Sequence, residues 1–209
     1  MSTTIKISAK SHRTLAACLL FLGIVFMSQA SVKADTITFE SDALGLYPNG
    51  IISVESSLVL FRTSPGGGVV ISENFGEFIG TRGLAVQGTP VHLIMDFVVP
   101  VTSLSLFFGN DDPFITSPGD TAILEVFLDG VLVGQTTVLM NRNDLADQQI
   151  SFSATTFNSA TFRFSQQFFL SETVDNVEFT PVPEPTSLVL LGIGIAGIAA
   201  RIRRSNWAN

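Results

Sequence analysis

Two unbroken apolar runs stand at the ends of the chain, Leu15 to Met27 and Leu188 to Ala200, and the hydrophobic residues between them fall into short segments. From Asp35 to about Thr180 no 3.6-residue periodicity is sustained. Runs rich in Val, Ile, Phe and Thr are instead punctuated by Gly, Pro, Asn and Asp, the pattern of β-structure. Strands are predicted over 36–40, 58–62, 68–72, 84–87, 91–99, 101–109, 122–128, 131–137, 149–153, 160–165 and 174–179. Ser103-Leu104-Ser105-Leu106 and Thr161-Phe162-Arg163-Phe164 alternate as one-sided strands do. Asp129-Gly130, between two apolar runs, predicts a tight hairpin because both residues tolerate positive φ. Sixteen of the 18 phenylalanines lie in this middle region and are expected to fill its core. The fold class predicted is all-β, an antiparallel β-sandwich.

The end segments have a different design. Lys6, Lys10 and Arg13 precede the 13-residue run Leu15 to Met27, and small residues follow, the order of a signal peptide. Cleavage by signal peptidase is expected after Ala34, with Ala30 the alternative, so residues 1–34 form the leader and 35–180 the β-domain. Leu15-Ala16-Ala17-Cys18 copies the letters of a lipoprotein box, but the apolar run follows the cysteine, where a lipobox would close it. Cys18 is the only cysteine, so the mature domain is expected to have no thiol or disulfide.

Charge sharpens the division. All 18 acidic residues lie between Asp35 and Glu184, against only Arg62, Arg82, Arg142 and Arg163, which leaves that region at −14. A domain so acidic and without lysine repels phosphate backbones, which excludes a nucleic-acid partner. The other seven basic residues flank the two apolar runs with no acid among them, as in membrane-targeting segments.

The last 29 residues, 181–209, place Pro183-Glu184-Pro185 before a Gly-bearing apolar stretch (Gly192, Gly194, Gly197) and then Arg201, Arg203 and Arg204. This order resembles the PEP-CTERM sorting signal. The resemblance implies a single transmembrane helix at about 186–202, passage through the inner membrane, and cutting by an exosortase near the Pro-Glu-Pro motif. The protein would then reach the cell surface or extracellular matrix. Thirteen apolar residues span only about 20 Å of a roughly 30 Å hydrocarbon core, so Thr186, Ser187 and snorkelling arginines must complete the crossing.

The bracketing segments Ile37-Thr38-Phe39-Glu40 and Val174 to Phe179 resemble those of jelly-roll sandwiches, common among exported and carbohydrate-binding modules. That resemblance implies neighbouring first and last strands, whose acidic ends at Glu40, Asp42 and Asp175 would hold a structural calcium ion. Asn110-Asp111-Asp112 and Asp120 lack EF-hand spacing and read as turn chemistry. His92 is expected to be structural, the Pro65-Gly66-Gly67-Gly68 loop lacks the lysine and helix of a phosphate cradle, and Tyr47-Pro48-Asn49-Gly50 reads as a turn. No catalytic or cofactor-binding constellation emerges. Three readings follow: a non-catalytic surface or matrix protein associated with exopolysaccharide or biofilm, a carbohydrate-binding module with structural calcium, or an exported glycan hydrolase. An exposed group of Asn, Asp and Phe in one loop cluster would favour binding.

Overall fold

A computed structural model describes residues 33–64, 67–73, 81–87, 91–165, 172–183, 192 and 194. The unit Val32–Val182 carries the β-structure. It contains β1 (Asp35–Ile37), β2 (Gly45–Tyr47), β3 (Ile51–Ile52), β4 (Val59–Thr63), β5 (Gly68–Ser72), β6 (Gly83–Gln87), β7 (Leu93–Gly109), β8 (Thr121–Leu128), β9 (Val131–Leu139), β10 (Gln148–Phe164) and β11 (Thr173–Pro181).

Every pairing is antiparallel, and two 17-residue strands, β7 and β10, organise the rest. The first part of β7, residues 93–97, lies between β4 and the second part of β10, beyond which come β8 and β9. The second part of β7, residues 101–109, lies between β11 and the first part of β10, and β11 leads on to β6, β5 and β2. One continuous ladder thereby folds into two facing layers. The fold follows from local chemistry at the bends. Pro100 has no N–H to give a ladder, and near it the pairing jumps from Asp96↔Ser159 to Val101↔Phe157. Burial alternates over Leu93, Met95 and Phe97, then resumes on the other parity at Leu104, Leu106 and Phe108.

Aromatic rings join the layers. Phe108 meets Phe162 at 5.5 Å between centroids and Phe97 meets Phe179 at 5.2 Å, both across the interior. Phe39, Phe61, Phe108, Phe157, Phe162, Phe164 and Phe179 are all fully buried. Each such burial stabilises the fold by roughly 1.5–3 kcal/mol.

The all-β antiparallel sandwich is as the sequence predicts, with β1 beside β11 (Ile37↔Val177). The strand list differs in five places. The segments 91–99 and 101–109 are one strand, as are 149–153 and 160–165, because the bends are bulges rather than turns. Strands β2 and β3 were not predicted, being too short for a period to register. The first strand stops at Ile37, since Phe39 takes φ 60° and the Asp42 N–H closes back on its carbonyl at 3.1 Å. At the predicted hairpin Asp129 and Gly130 take φ 51° and 81°, and Leu128 pairs with Val131.

Candidate functional site: two latched loops presenting Phe114

Two connections, 110–120 between β7 and β8 and 140–147 between β9 and β10, are fastened together. Buried Asp111 makes the junction. Its Oδ2 accepts the Arg142 N–H at 2.6 Å and its Oδ1 accepts the Asp144 N–H at 2.9 Å. Both donors sit on residues in the left-handed region, at φ 62° and 64°. The Arg142 guanidinium returns the contact, donating from Nη2 to the Pro113 carbonyl at 2.6 Å and the Thr116 carbonyl at 2.7 Å, and from Nε to Thr116 Oγ1 at 3.2 Å. Gly109 lets the second loop press onto the end of β7: a Cβ there would lie 2.5 Å from the Ala146 nitrogen and 2.6 Å from its Cα.

The first loop is tied from within as well. Asp112 Oδ1 accepts the Phe114 N–H at 2.7 Å, its carbonyl accepts the Ile115 and Thr116 N–H groups, and Asp120 Oδ2 accepts the Ser117 N–H at 2.7 Å. These are the turn bonds expected of Asp112 and Asp120. Their product is a fixed loop whose summit, Phe114, is 97% exposed, with Ile115 at 42%. On the neighbouring loop the Asn141 and Asn143 side-chain amides each donate to Asp147 at 2.8 Å in an exposed cluster. Asp144 stands near Asp111 and Asp112. Burial, then the charges of Asp112 and Asp111, push its pKa above the ordinary 3.8.

A ring held clear of the surface on a braced loop, beside amides and carboxylates, is suited to stacking on an apolar ligand face while polar neighbours meet hydroxyls at its rim. Bracing reduces the ordering cost of binding. Both oxygens of Asp111 are taken up by backbone N–H groups, which gives this carboxylate a structural part in the site.

The residues expected from sequence to hold calcium lie elsewhere and have protein partners. Glu40 accepts the Thr81 N–H and hydroxyl at 2.5 and 2.6 Å and the Arg82 N–H at 3.1 Å. Asp42 is buried and accepts Ser53 Oγ at 2.6 Å and the Val54 N–H at 2.9 Å, while buried Asp175 accepts the Asn176 N–H at 2.7 Å. Among the described residues no three His, Cys, Asp or Glu side chains are grouped so as to hold a metal ion. The His92 N–H donates to Ser64 Oγ at 3.1 Å and its carbonyl accepts the Ser64 N–H at 3.1 Å, while its Nδ1 lies 3.7 Å from Glu172 Oε1. Tyr47 to Gly50 form a turn closed by Gly50 N–H to Tyr47 O at 3.1 Å. Sequence reasoning passed over Arg142 and Phe114. Their signal was there, in a phenylalanine inside a Pro-, Gly- and Asp-rich loop and in one of only four basic residues of the domain.

Residues 181–204 match the family model of the PEP-CTERM protein-sorting motif. The chain carries a PEP-CTERM sorting motif. Pro183, exposed after β11, begins its Pro-Glu-Pro. Glu184, Pro185, Arg201, Arg203 and Arg204 lie outside the described residues, as do Cys18, nearly all of the leader and most of the expected helix, of which Gly192 and Gly194 are helical. Among the described residues no helix is long and apolar enough to cross a membrane. No curated protein matches the chain by sequence. Solved structures that resemble it include the K2 cleaved adhesin domain of Lys-gingipain, 15% identical with a TM-score of 0.46, covering 71% of this chain and 99% of that one. A tandem CBM22 domain of Paenibacillus barcinonensis Xyn10C is 13% identical with a TM-score of 0.43, covering 76% of this chain, which spans 50% of that one. A CBM22 xylan-binding domain is 12% identical with a TM-score of 0.40, covering 73% and 96%. Each likeness is weak and concerns the fold alone.

Proposed function

We propose that this is an exported, exosortase-processed, non-catalytic protein of the cell surface or extracellular matrix whose latched loops bind extracellular polysaccharide. The sorting motif over residues 181–204 supports the route. The observation that carries the binding step is Phe114, 97% exposed on a loop braced by Asp111 and Arg142. A ring left in water serves no packing purpose, and the surrounding bonds fix it there. Sugars offer the matching surface, an apolar face rimmed by hydroxyls. Signal peptidase would act near Ala34 and the exosortase near Pro185, with the inner membrane a transient station.

Two measurements test the proposal. Intact mass of the protein from its own cells should show a chain from near Asp35 to near Pro185 only when the exosortase is present. Retention of Arg201 to Asn209 in both strains would make the tail a plain anchor. Affinity electrophoresis in gels cast with the cells' own exopolysaccharide should show retardation of the native protein that Phe114→Ala abolishes. Equal mobility with and without the polysaccharide would remove the binding role and leave the sorting route standing.

A further inference from the structure

The registers assign each loop of the β-domain to one of its two ends. Strand β11 runs from Thr173, opposite Gly109, to Pro181, opposite Val101, and its nine residues at about 3.3 Å each make it roughly 30 Å long. The latched loops stand at the Gly109 end, where Gln148 pairs with Phe108. At the other end β7 bends through Val98 to Pro100. There the Val98 N–H donates to the Leu58 carbonyl and the Pro100 carbonyl accepts the Val182 N–H, both at 2.8 Å. Strand β1 starts at this end, with Asp35 opposite Phe179. The 53–58 connection between β3 and β4 lies there as well, since Val59 pairs with Phe97. So does the Asp129-Gly130 hairpin, because Phe127 pairs with Ser159 and Ser159 with Asp96. After Phe114, the three most exposed large apolar side chains among the described residues are Val54 at 73%, Val98 at 69% and Val131 at 66%, and all three belong to this end. The carboxylates around them have protein partners: Asp35 takes the Ser56 hydroxyl, Glu55 the N–H groups of Thr38 and Ser41, and Asp129 Oδ1 the Asn158 amide at 2.8 Å.

We propose that this end is a membrane-seating face: while the sorting tail is inserted, Val54, Val98 and Val131 rest in the lipid interface and the Phe114 loops stand on the far side of the domain. The inference rests on the reading that residues 186–202 cross the inner membrane. The occupant follows from the length of chain. Val182 is held by Pro100, and only residues 183–187 separate it from the apolar run that begins at Leu188, a span of at most about 20 Å. This end of the domain is therefore kept beside the bilayer, and its exposed valines exchange water for the boundary between headgroups and acyl chains. Three valines are too few to hold a free protein on lipid, but a short tether makes the contact intramolecular, where weak contacts suffice. Cutting by the exosortase removes the tether and releases the face. Until then Phe114 is presented roughly 30 Å beyond the seated end, open to polysaccharide before the cut.

Fluorescence quenching on the full precursor tests this. Precursor from cells lacking the exosortase, carrying Val54→Cys, Val98→Cys, Val131→Cys or Phe114→Cys one at a time, is labelled with bimane and reconstituted in phosphatidylcholine vesicles, with or without acyl chains brominated near the headgroup. Cys18, the only native cysteine, belongs to the leader expected to be removed, and all four chosen sites are exposed, so the labels leave the core untouched. With no exosortase present, only lipid can quench. Brominated lipid should extinguish most of the signal from the labels replacing Val54, Val98 and Val131 and leave the one replacing Phe114 bright. Equal quenching at all four sites, or none at the three valine sites, in a precursor that floats with the vesicles overturns the seating face alone. A precursor that does not float overturns the membrane reading of the tail, and the seating face with it.

Discussion

At the residue scale, Arg142 and Phe114 have opposite roles in one site. Arg142 spends its guanidinium on the Pro113 and Thr116 carbonyls, so its loss unties the loop, whereas Phe114 touches water and its loss costs the fold nothing. Arg142→Ala should lower stability by about 2 kcal/mol and weaken polysaccharide retention; Phe114→Ala should remove retention with an unchanged melting temperature. Calorimetry paired with affinity electrophoresis separates the two. Acid titration divides two other carboxylates. Burial works to raise the Glu55 pKa, but N–H groups of Ser41 and Thr38 and the Thr38 hydroxyl outweigh it, and the net direction is down from 4.5. Its stabilisation is therefore present above about 4.5 and lost as pH falls through the lowered folded value. Asp144 has the opposite sign: with its pKa raised above 3.8, the folded state holds the extra proton, and stability declines as pH rises through that window. Asp144→Asn keeps the backbone bond to Asp111 and tolerates the left-handed φ, so it should raise the melting temperature at neutral pH and leave it little changed in strong acid. A lower melting temperature at pH 7 would show that the Asp144 carboxylate is held by favourable partners.

At the element scale, β7 and β10 unite both layers, and the site depends on where each ends. Gly109 is the last residue of β7, and the peptide of Leu145 and Ala146 rests against it. The obstructing atoms are backbone, which cannot swing aside as a side chain can. Gly109→Ala should cost roughly 1–3 kcal/mol and weaken polysaccharide retention by pushing the second loop off Asp111, measurable as a shifted urea midpoint. The Asp129-Gly130 hairpin was legible in sequence because its requirement is local: two positive φ values between strands. The continuity of β7 through Pro100 was not, because a proline within an apolar run reads as a break unless the partner strands that tolerate the bulge are known.

At the scale of the whole molecule, stability rests on buried aromatic rings rather than cross-links. The single cysteine, Cys18, has no second thiol in the chain to pair with, and Glu40, Asp42 and Asp175 are each engaged by protein donors. Reductant and EDTA should therefore both leave the melting temperature unchanged in circular dichroism. A fall with EDTA would place an ion at carboxylates that here hold N–H groups. The acidity of the domain and the basic flanks of the two apolar runs divide the chain by charge, and the C-terminal run lies within the sorting motif.

The sequence by itself determined the fold class, the Asp-Gly hairpin, the charge asymmetry and the sorting motif. Each is written in contiguous residues, as a period, a turn pair or an ordered set of segments. Only the tertiary structure decided that Asp111 and Arg142, 31 positions apart, lock two loops, and that among the described residues Phe114 stands in water while seven other phenylalanines are fully buried and β9 pairs with β8 alone. Those facts depend on which strands become neighbours. Long-range pairing sets that order, and no local pattern of hydrophobic and polar residues encodes it.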